Sequence, residues 1–227
     1  MNTISRFLLD IFYPNRCPCC SDFIRWDKLI CSKCHKSIDP VFDRVCRKCG
    51  KEICICAEQL YYDSAVVPLR YENLVKEGIL SLKRGYNKNF GEYTGKLIAG
   101  IFLDEYKDSH FDMIIPVPMS KKSLAKRGYN QAEIISKEIA AALNIPLRND
   151  ILYKQEQKTS QHYLKRTARM LNITALKIND INLEGKSVII CDDVITTGST
   201  VNRCAKLLKS RGAENVTLAS AAQSKLR

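Results

Sequence analysis

Val188-Ile-Ile-Cys-Asp192-Asp193-Val-Ile-Thr196-Thr197-Gly198-Ser199-Thr200 decides the fold. The apolar run reads as a buried strand, and the segment after it reads as the helix Val201–Arg211, with Val201, Cys204, Ala205 and Leu208 on one face. Two adjacent carboxylates at a strand tip repel one another unless hydroxyl donors or a cation satisfy them. A ribose diol meets that need, with Mg²⁺ nearby. The loop adds threonines, a serine and a glycine at a helix N-terminus, where free N–H groups cradle a phosphate monoester. Asp192, Asp193, Thr196, Thr197, Gly198, Ser199 and Thr200 are therefore the candidate ligand-binding residues. A Rossmann glycine pattern and a Walker lysine are both absent.

Working outward, further apolar runs at Ser64–Leu69, Asp112–Val117 and Asn215–Ala219 read as strands. Helical periodicity fills the gaps: Leu74, Val75, Ile79 and Leu82 on one helix, Ile134, Ile135, Ile139 and Leu143 on another. Gly212 stands where the last helix should be capped. Alternating strands and helices predict an α/β fold, a mostly parallel sheet with flanking helices. Ligands of such sheets bind beyond the carboxyl ends of the strands.

Nine of the eleven cysteines fall between Cys17 and Cys56. Cys17–Cys20, Cys31–Cys34 and Cys46–Cys49 are C-x-x-C knuckles, and Cys54-Ile-Cys56 is one residue tighter. Two residues between thiolates let one turn aim both sulfurs at one tetrahedral ion. Cys17, Cys20, Cys31 and Cys34 form a first candidate zinc centre, and Cys46, Cys49, Cys54 and Cys56 a second. An interleaved pairing, Cys19 in place of Cys17, and an iron–sulfur cluster on the same ligands stay open. A unit this small has little core, so bound metal supplies much of its folding energy.

The 227 residues carry 36 Lys and Arg against 24 acidic residues, a net +12, of which +9 lies after residue 60. That surplus suits a polyanionic partner. No stretch approaches about 18 uninterrupted apolar residues, which excludes a membrane-spanning helix. Ile4, Phe7, Leu8, Ile11 and Phe12 recur at helical spacing without the features of a secretory signal, which makes the cytoplasm the expected compartment. Three units are expected: an amphipathic helix over 1–15, a cysteine-rich zinc-binding domain over 16–60 and the α/β domain over 61–227.

Lys-Arg-Gly-Tyr-Asn occurs twice, at Lys83–Asn87 and Lys126–Asn130. Each copy joins an anion-binding pair, a turn glycine and an aromatic ring, so Lys83, Arg84, Lys126 and Arg127 are candidate pyrophosphate or DNA contacts. Tyr86 and Tyr129 are candidate stacking platforms for single-stranded bases, against the plainer reading of a charged turn with a packed tyrosine. Lys158, Lys165, Arg166 and Arg169 form a further basic cluster.

The segment Ile190–Thr200 resembles the phosphoribosyl pyrophosphate (PRPP) motif of type I phosphoribosyltransferases. Together with Pro116-Val-Pro118, Arg127-Gly-Tyr-Asn-Gln131, Gln161, Leu164, Arg169 and Asn172 behind a cysteine-knuckle head, it resembles the ComF/GntX family over essentially the whole chain. The resemblance implies a type I phosphoribosyltransferase-like fold. It also implies that Asp192 and Asp193 hold the ribose hydroxyls, that Thr196 to Thr200 hold the 5′-phosphate, and that the loop after Val117 faces the pyrophosphate. PRPP with magnesium, single-stranded DNA and a DNA-uptake helicase or translocase are the implied ligands and partners, in natural transformation (competence). An active phosphoribosyltransferase with an unnamed acceptor is the alternative.

Overall fold

The structure is a computed structural model that describes residues 13–85, 87–155 and 175–224. The helix expected over 1–15 falls almost entirely outside the described residues. In chain order the elements are α1 (Ser32–Ser37), a 3₁₀ turn (Phe42–Arg44), β1 (Ser64–Val66), β2 (Leu69–Arg70), α2 (Asn73–Arg84), α3 (Asn89–Glu105) and β3 (Met113–Pro116). They continue with α4 (Lys121–Arg127), α5 (Gln131–Leu143), β4 (Leu152–Gln155), β5 (Ala175–Ile178), β6 (Ser187–Ile195), α6 (Ser199–Lys209) and β7 (Asn215–Gln223). No described helix is long and apolar enough to cross a membrane.

The sheet runs β1-β7-β6-β3, with β2 also on β7, and every pairing in it is parallel. Period-2 alternation splits its core into two layers. Val188 and Ile190 of β6 pack with Val216, Leu218 and the α6 face Val201, Cys204, Ala205 and Leu208. Ile189 and Cys191 turn to the opposite face, against Ile98 and Phe102 of α3 and Ile135 and Ile139 of α5. Helices on both faces explain why the central strands are apolar throughout.

Three details depart from the sequence reading. The Ser64–Leu69 run is two strands, because Pro68 has no N–H for the ladder and its carbonyl turns to accept from Val41 N–H at 2.7 Å. β6 continues past Cys191 through both aspartates to Ile195, so the acidic pair lies within the strand's last turn of pleat, not after it. α6 spans Ser199–Lys209 and ends on Ser210, which leaves Gly212 two residues beyond the cap. Its positive φ of 91° and the approach of Glu184 backbone, 3.0 Å from where a Cβ would stand, still require glycine.

α3 and the antiparallel hairpin β4–β5 were not foreseen. α3 carries Gly91, Gly95 and Gly100, which read as helix breakers. Two of them let α5 approach: a Cβ on Gly91 would meet Ile134 Cγ2 at 2.8 Å, and one on Gly95 would meet Glu138 Cβ at 2.7 Å and Ile135 O at 2.8 Å. Gly100 faces open space. Opposite signs are therefore expected in urea unfolding. Gly95→Ala should lose about 1 kcal/mol net, overpacking outweighing helix propensity, whereas Gly100→Ala should gain up to about 1 kcal/mol. Equal effects would remove the packing explanation.

The cysteine-rich segment docks on this frame. Cys17, Cys19, Cys34 and Ile38 bury against Leu69, Val75, Ile79, Phe90 and Ala222, and Val41, Phe42 and Val45 join the α3/α5 layer.

Candidate functional site

The cysteines fall into two groups of four, Cys17, Cys20, Cys31, Cys34 and Cys46, Cys49, Cys54, Cys56, with the sulfurs of each group within 4.8 Å of one another. Tetrahedral thiolates about 2.3 Å from zinc stand about 3.8 Å apart. The observed separations fit: 3.8 Å for Cys20–Cys31, 3.6 Å for Cys46–Cys56 and 3.9 Å for Cys49–Cys54. Backbone N–H groups already aim at the sulfurs, from Cys31 to Cys17, from Cys34 to Cys31 and from Cys56 to Cys54. Burial raises the Cys17 thiol, yet the N–H groups of Cys31, Cys20 and Cys19 bring it down to about 7. The Cys49 N–H leads in holding Cys46 at about 6. The two turns thus favour a thiolate at Cys17 and at Cys46, while burial raises Cys20, Cys34, Cys49 and Cys56. The pairing is sequential, not interleaved, and the tight Cys54–Cys56 pair completes the second group. Cys19 belongs to neither; burial pushes its pKa up, and the thiol packs as a small apolar group.

At the carboxyl edge of the sheet, Asp192 Oδ1 accepts from Asp193 N–H at 2.8 Å. Burial, then the charge of Asp193, pushes Asp192 up to about 7; Lys83 and Lys154 oppose this only in part. Asp193 pairs with Lys83 Nζ at 2.9 Å. The loop that follows folds on itself. Ser199 N–H donates to Thr197 Oγ1 at 3.3 Å, and Gly198, at φ 78°, is the N-cap of α6. The first intrahelical bond runs from Asn202 N–H to Gly198 O, which leaves the earlier N–H groups of the turn without helical acceptors. Thr196, Thr197, Ser199 and Thr200 are exposed around that turn. Two carboxylates, four hydroxyls and a helix N-terminus thus converge where a parallel sheet presents its ligand site.

The two Lys-Arg-Gly-Tyr-Asn copies lie against each other. A Cβ on Gly85 would stand 3.1 Å from Arg127 O, and Tyr129 Oη donates to Leu82 O at 2.8 Å. Each copy ends one helix and starts the next. Gly85 and Gly128 terminate α2 and α4 with left-handed φ of 87° and 78°. Asn87 and Asn130 then accept the N–H of Asn89 and Ala132. The repeat is thus a helix-stop, helix-start device. Lys83 faces Asp193, Arg127 donates to Gln131 Oε1 at 3.1 Å, and Arg84 and Lys126 are exposed. Lys88 Nζ sits 5.0 Å above the Tyr129 ring. Tyr86, with Lys158, Lys165, Arg166 and Arg169 and the motif residues Gln161, Leu164 and Asn172, lies outside the described residues. Neither Lys154 of β4, whose charge favours an ionised Asp192, nor the buried Lys51 was singled out by sequence; single lysines in polar contexts give no signal.

Comparison with known proteins agrees with this architecture. Residues 87–225 match the phosphoribosyl transferase domain, and residues 8–65 match the double zinc ribbon domain. The chain is 25% identical over 200 residues to Competence protein ComFC of Bacillus subtilis, covering 82% of this chain and 80% of that one. It is 35% identical over 108 residues to Competence protein F of Haemophilus influenzae, 46% of this chain and 47% of that protein. It is also 30% identical over 105 residues to DNA utilization protein YhgH of Escherichia coli O157:H7, 46% of each. The match to the latter two thus spans about half of their length. A double zinc ribbon ahead of a phosphoribosyl transferase domain, on a parallel sheet that ends in an acidic pair and a phosphate-type loop, makes this chain a member of the ComF family.

Proposed function

We propose that this protein binds PRPP or another phosphoribosyl group at Asp192–Thr200 and handles single-stranded DNA in the cytoplasm during natural transformation. The carrying observation is the half-buried acidic pair at the end of β6, followed directly by the Gly198-capped turn. Two carboxylates accept from a vicinal diol, and the hydroxyls of Thr196, Thr197, Ser199 and Thr200 with the α6 N–H groups receive the 5′-phosphate. Magnesium would neutralise pyrophosphate charge when PRPP is bound. Lys83 then exchanges its partner, from the Asp193 carboxylate to the ligand's diphosphate. The DNA half of the reading draws on the relatives' names and on the cationic rim of Arg84, Lys126 and Arg127. The zinc ribbons offer a surface for a DNA-uptake helicase or translocase.

The experiment is single-stranded oligonucleotide binding by zinc-loaded protein, titrated with PRPP and Mg²⁺ at two salt concentrations. If three phosphates are neutralised, affinity should fall about 20-fold between about 50 and 200 mM salt, and PRPP should shift the binding curve. No binding at low salt removes the DNA half. Pyrophosphate release on adding an acceptor would instead make the chain a working transferase.

A further inference from the structure

Lys51 is 1% exposed, and its ammonium donates to Ile195 O at 3.1 Å and to Ser224 O at 2.7 Å. These carbonyls lie at the carboxyl ends of β6 and β7. Ser224 N–H already donates to Ile195 O at 2.9 Å, and the lysine joins that bond and supplies a donor to Ser224 O, tying the two strand ends together. Ile195 is also the last residue before Thr196. The lysine that closes this edge comes from another part of the chain, two residues after a ligand of the second zinc centre.

The neighbours of Lys51 in sequence are fixed as firmly. Gly50 N–H donates to Cys46 O at 2.8 Å, and Cys46 N–H to Lys51 O at 2.9 Å, so the knuckle's own turn sets the lysine's backbone. Gly50, at φ 70°, lies so close to the sheet that a Cβ would meet Val67 Cγ2 at 2.7 Å and Ala65 Cβ at 3.1 Å. Glu52 binds Arg70, and Gln223 Nε2 donates to Glu52 Oε2 at 2.6 Å. A second link reaches the far side of the loop: Tyr62 Oη donates to Cys49 O at 3.3 Å and stands 3.9 Å from where a Gly198 Cβ would be. The knuckle therefore touches the phosphate-type loop at both ends, through Lys51 at Ile195 and through Tyr62 at Gly198. Four thiolates around Zn²⁺ also leave a net negative charge beside which a buried ammonium is favoured.

We infer that the second zinc centre is a built part of the loop's scaffold, with Lys51 the positioning residue that carries metal occupancy to residues 195–200. Among the described residues the first centre has no hydrogen bond to residues 195–200; its buried cysteines pack with Leu69, Val75, Ile79, Phe90 and Ala222. The inference rests on the ligand-loop reading above only for its consequence in binding, not for the coupling itself.

The test is hydrogen exchange of peptides spanning 192–202 in the zinc-loaded full chain, read alongside zinc content and PRPP–Mg²⁺ affinity. Lys51→Met keeps the stem and removes the donors. It should retain zinc at the wild-type stoichiometry, exchange these amides about tenfold faster and weaken PRPP about tenfold. Lys51→Arg, which can donate to both carbonyls, should recover part of each. Cys56→Ser, which opens the second centre, should reproduce the faster exchange, and Cys20→Ser in the first centre should not. Unchanged exchange in Lys51→Met and Cys56→Ser, or equal acceleration by Cys20→Ser, overturns the inference. If the wild type itself fails to bind PRPP while the exchange pattern holds, the coupling stands and the ligand assignment falls.

Discussion

Cys34→Ser is expected to remove one zinc ion per chain and release residues 15–38 from native protection while the parallel sheet stays folded. Serine keeps its proton at neutral pH and cannot replace a thiolate ligand. Among the described residues the ribbon around the first centre buries Cys17, Cys19, Cys34 and Ile38 and packs Ile24, Ile30 and Cys31 beside them, too little to order some two dozen residues unaided. Structural zinc in such units contributes about 10 kcal/mol, so its loss exceeds anything the remaining contacts hold. The sheet depends on it far less: its two main core layers take no side chain from residues 15–38, which meet the sheet only at its edge of Leu69, Val194 and Ala222. Zinc stoichiometry and amide exchange across 15–38 measure the outcome. Retention of the full zinc content, or native protection of the ribbon in the variant, would show that the four sulfurs are not the ligand set.

What was legible in the sequence followed from periodicity and from chemistry confined to a few neighbouring residues. The strands β3, β6 and β7 and the helices α2, α5 and α6 show through, because burial on both faces writes apolar runs and 3.6-residue stripes into the chain. The knuckles show through because two-residue spacing has one good geometric use. α3 was hidden by its glycines, two of which, Gly91 and Gly95, serve the approach of α5 and not local flexibility. The repeated pentapeptide has a structural task that its composition does not show. Its glycine and asparagine serve helix ends, and Tyr129 spends its hydroxyl on Leu82 O, whereas cation and aromatic content alone suggested a nucleic-acid grip. Lys83 and Lys51 were invisible as partners. Asp193 lies 110 positions beyond the first, and Ile195 lies 144 positions beyond the second. Such pairings are properties of the folded sheet edge, where the acidic pair collects its counter-charges.

Asp192→Asn should make the ligand-free protein more stable at pH 8 while weakening the phosphoribosyl ligand proposed for Asp192–Thr200 about 10- to 100-fold. In the fold the Asp192 carboxyl is raised from 3.8 to about 7 by burial and by the charge of Asp193. Between these values the folded chain holds a proton that the unfolded chain has released, so this group's contribution favours folding less and less as pH rises from about 4 to 7. Above pH 7 the full cost of a buried, like-charged pair is in place. A three-unit shift caps that cost at about 4 kcal/mol; partial exposure and screening bring the working figure to about 2 kcal/mol, or roughly 5 °C in Tm. Asparagine keeps an Oδ1 for the Asp193 N–H and leaves the Lys83–Asp193 pair intact, so little else changes. The gain in Tm should therefore be largest at pH 8 and vanish near pH 4. Calorimetry across that range, without PRPP or magnesium, reads it directly. A gain that is absent at pH 8, or as large at pH 4, would mean that the pair is not strained. If the gain appears together with lost ligand binding, the fold tolerates two adjacent carboxylates at a cost to its own stability, and the bound diol and phosphate are what offset it.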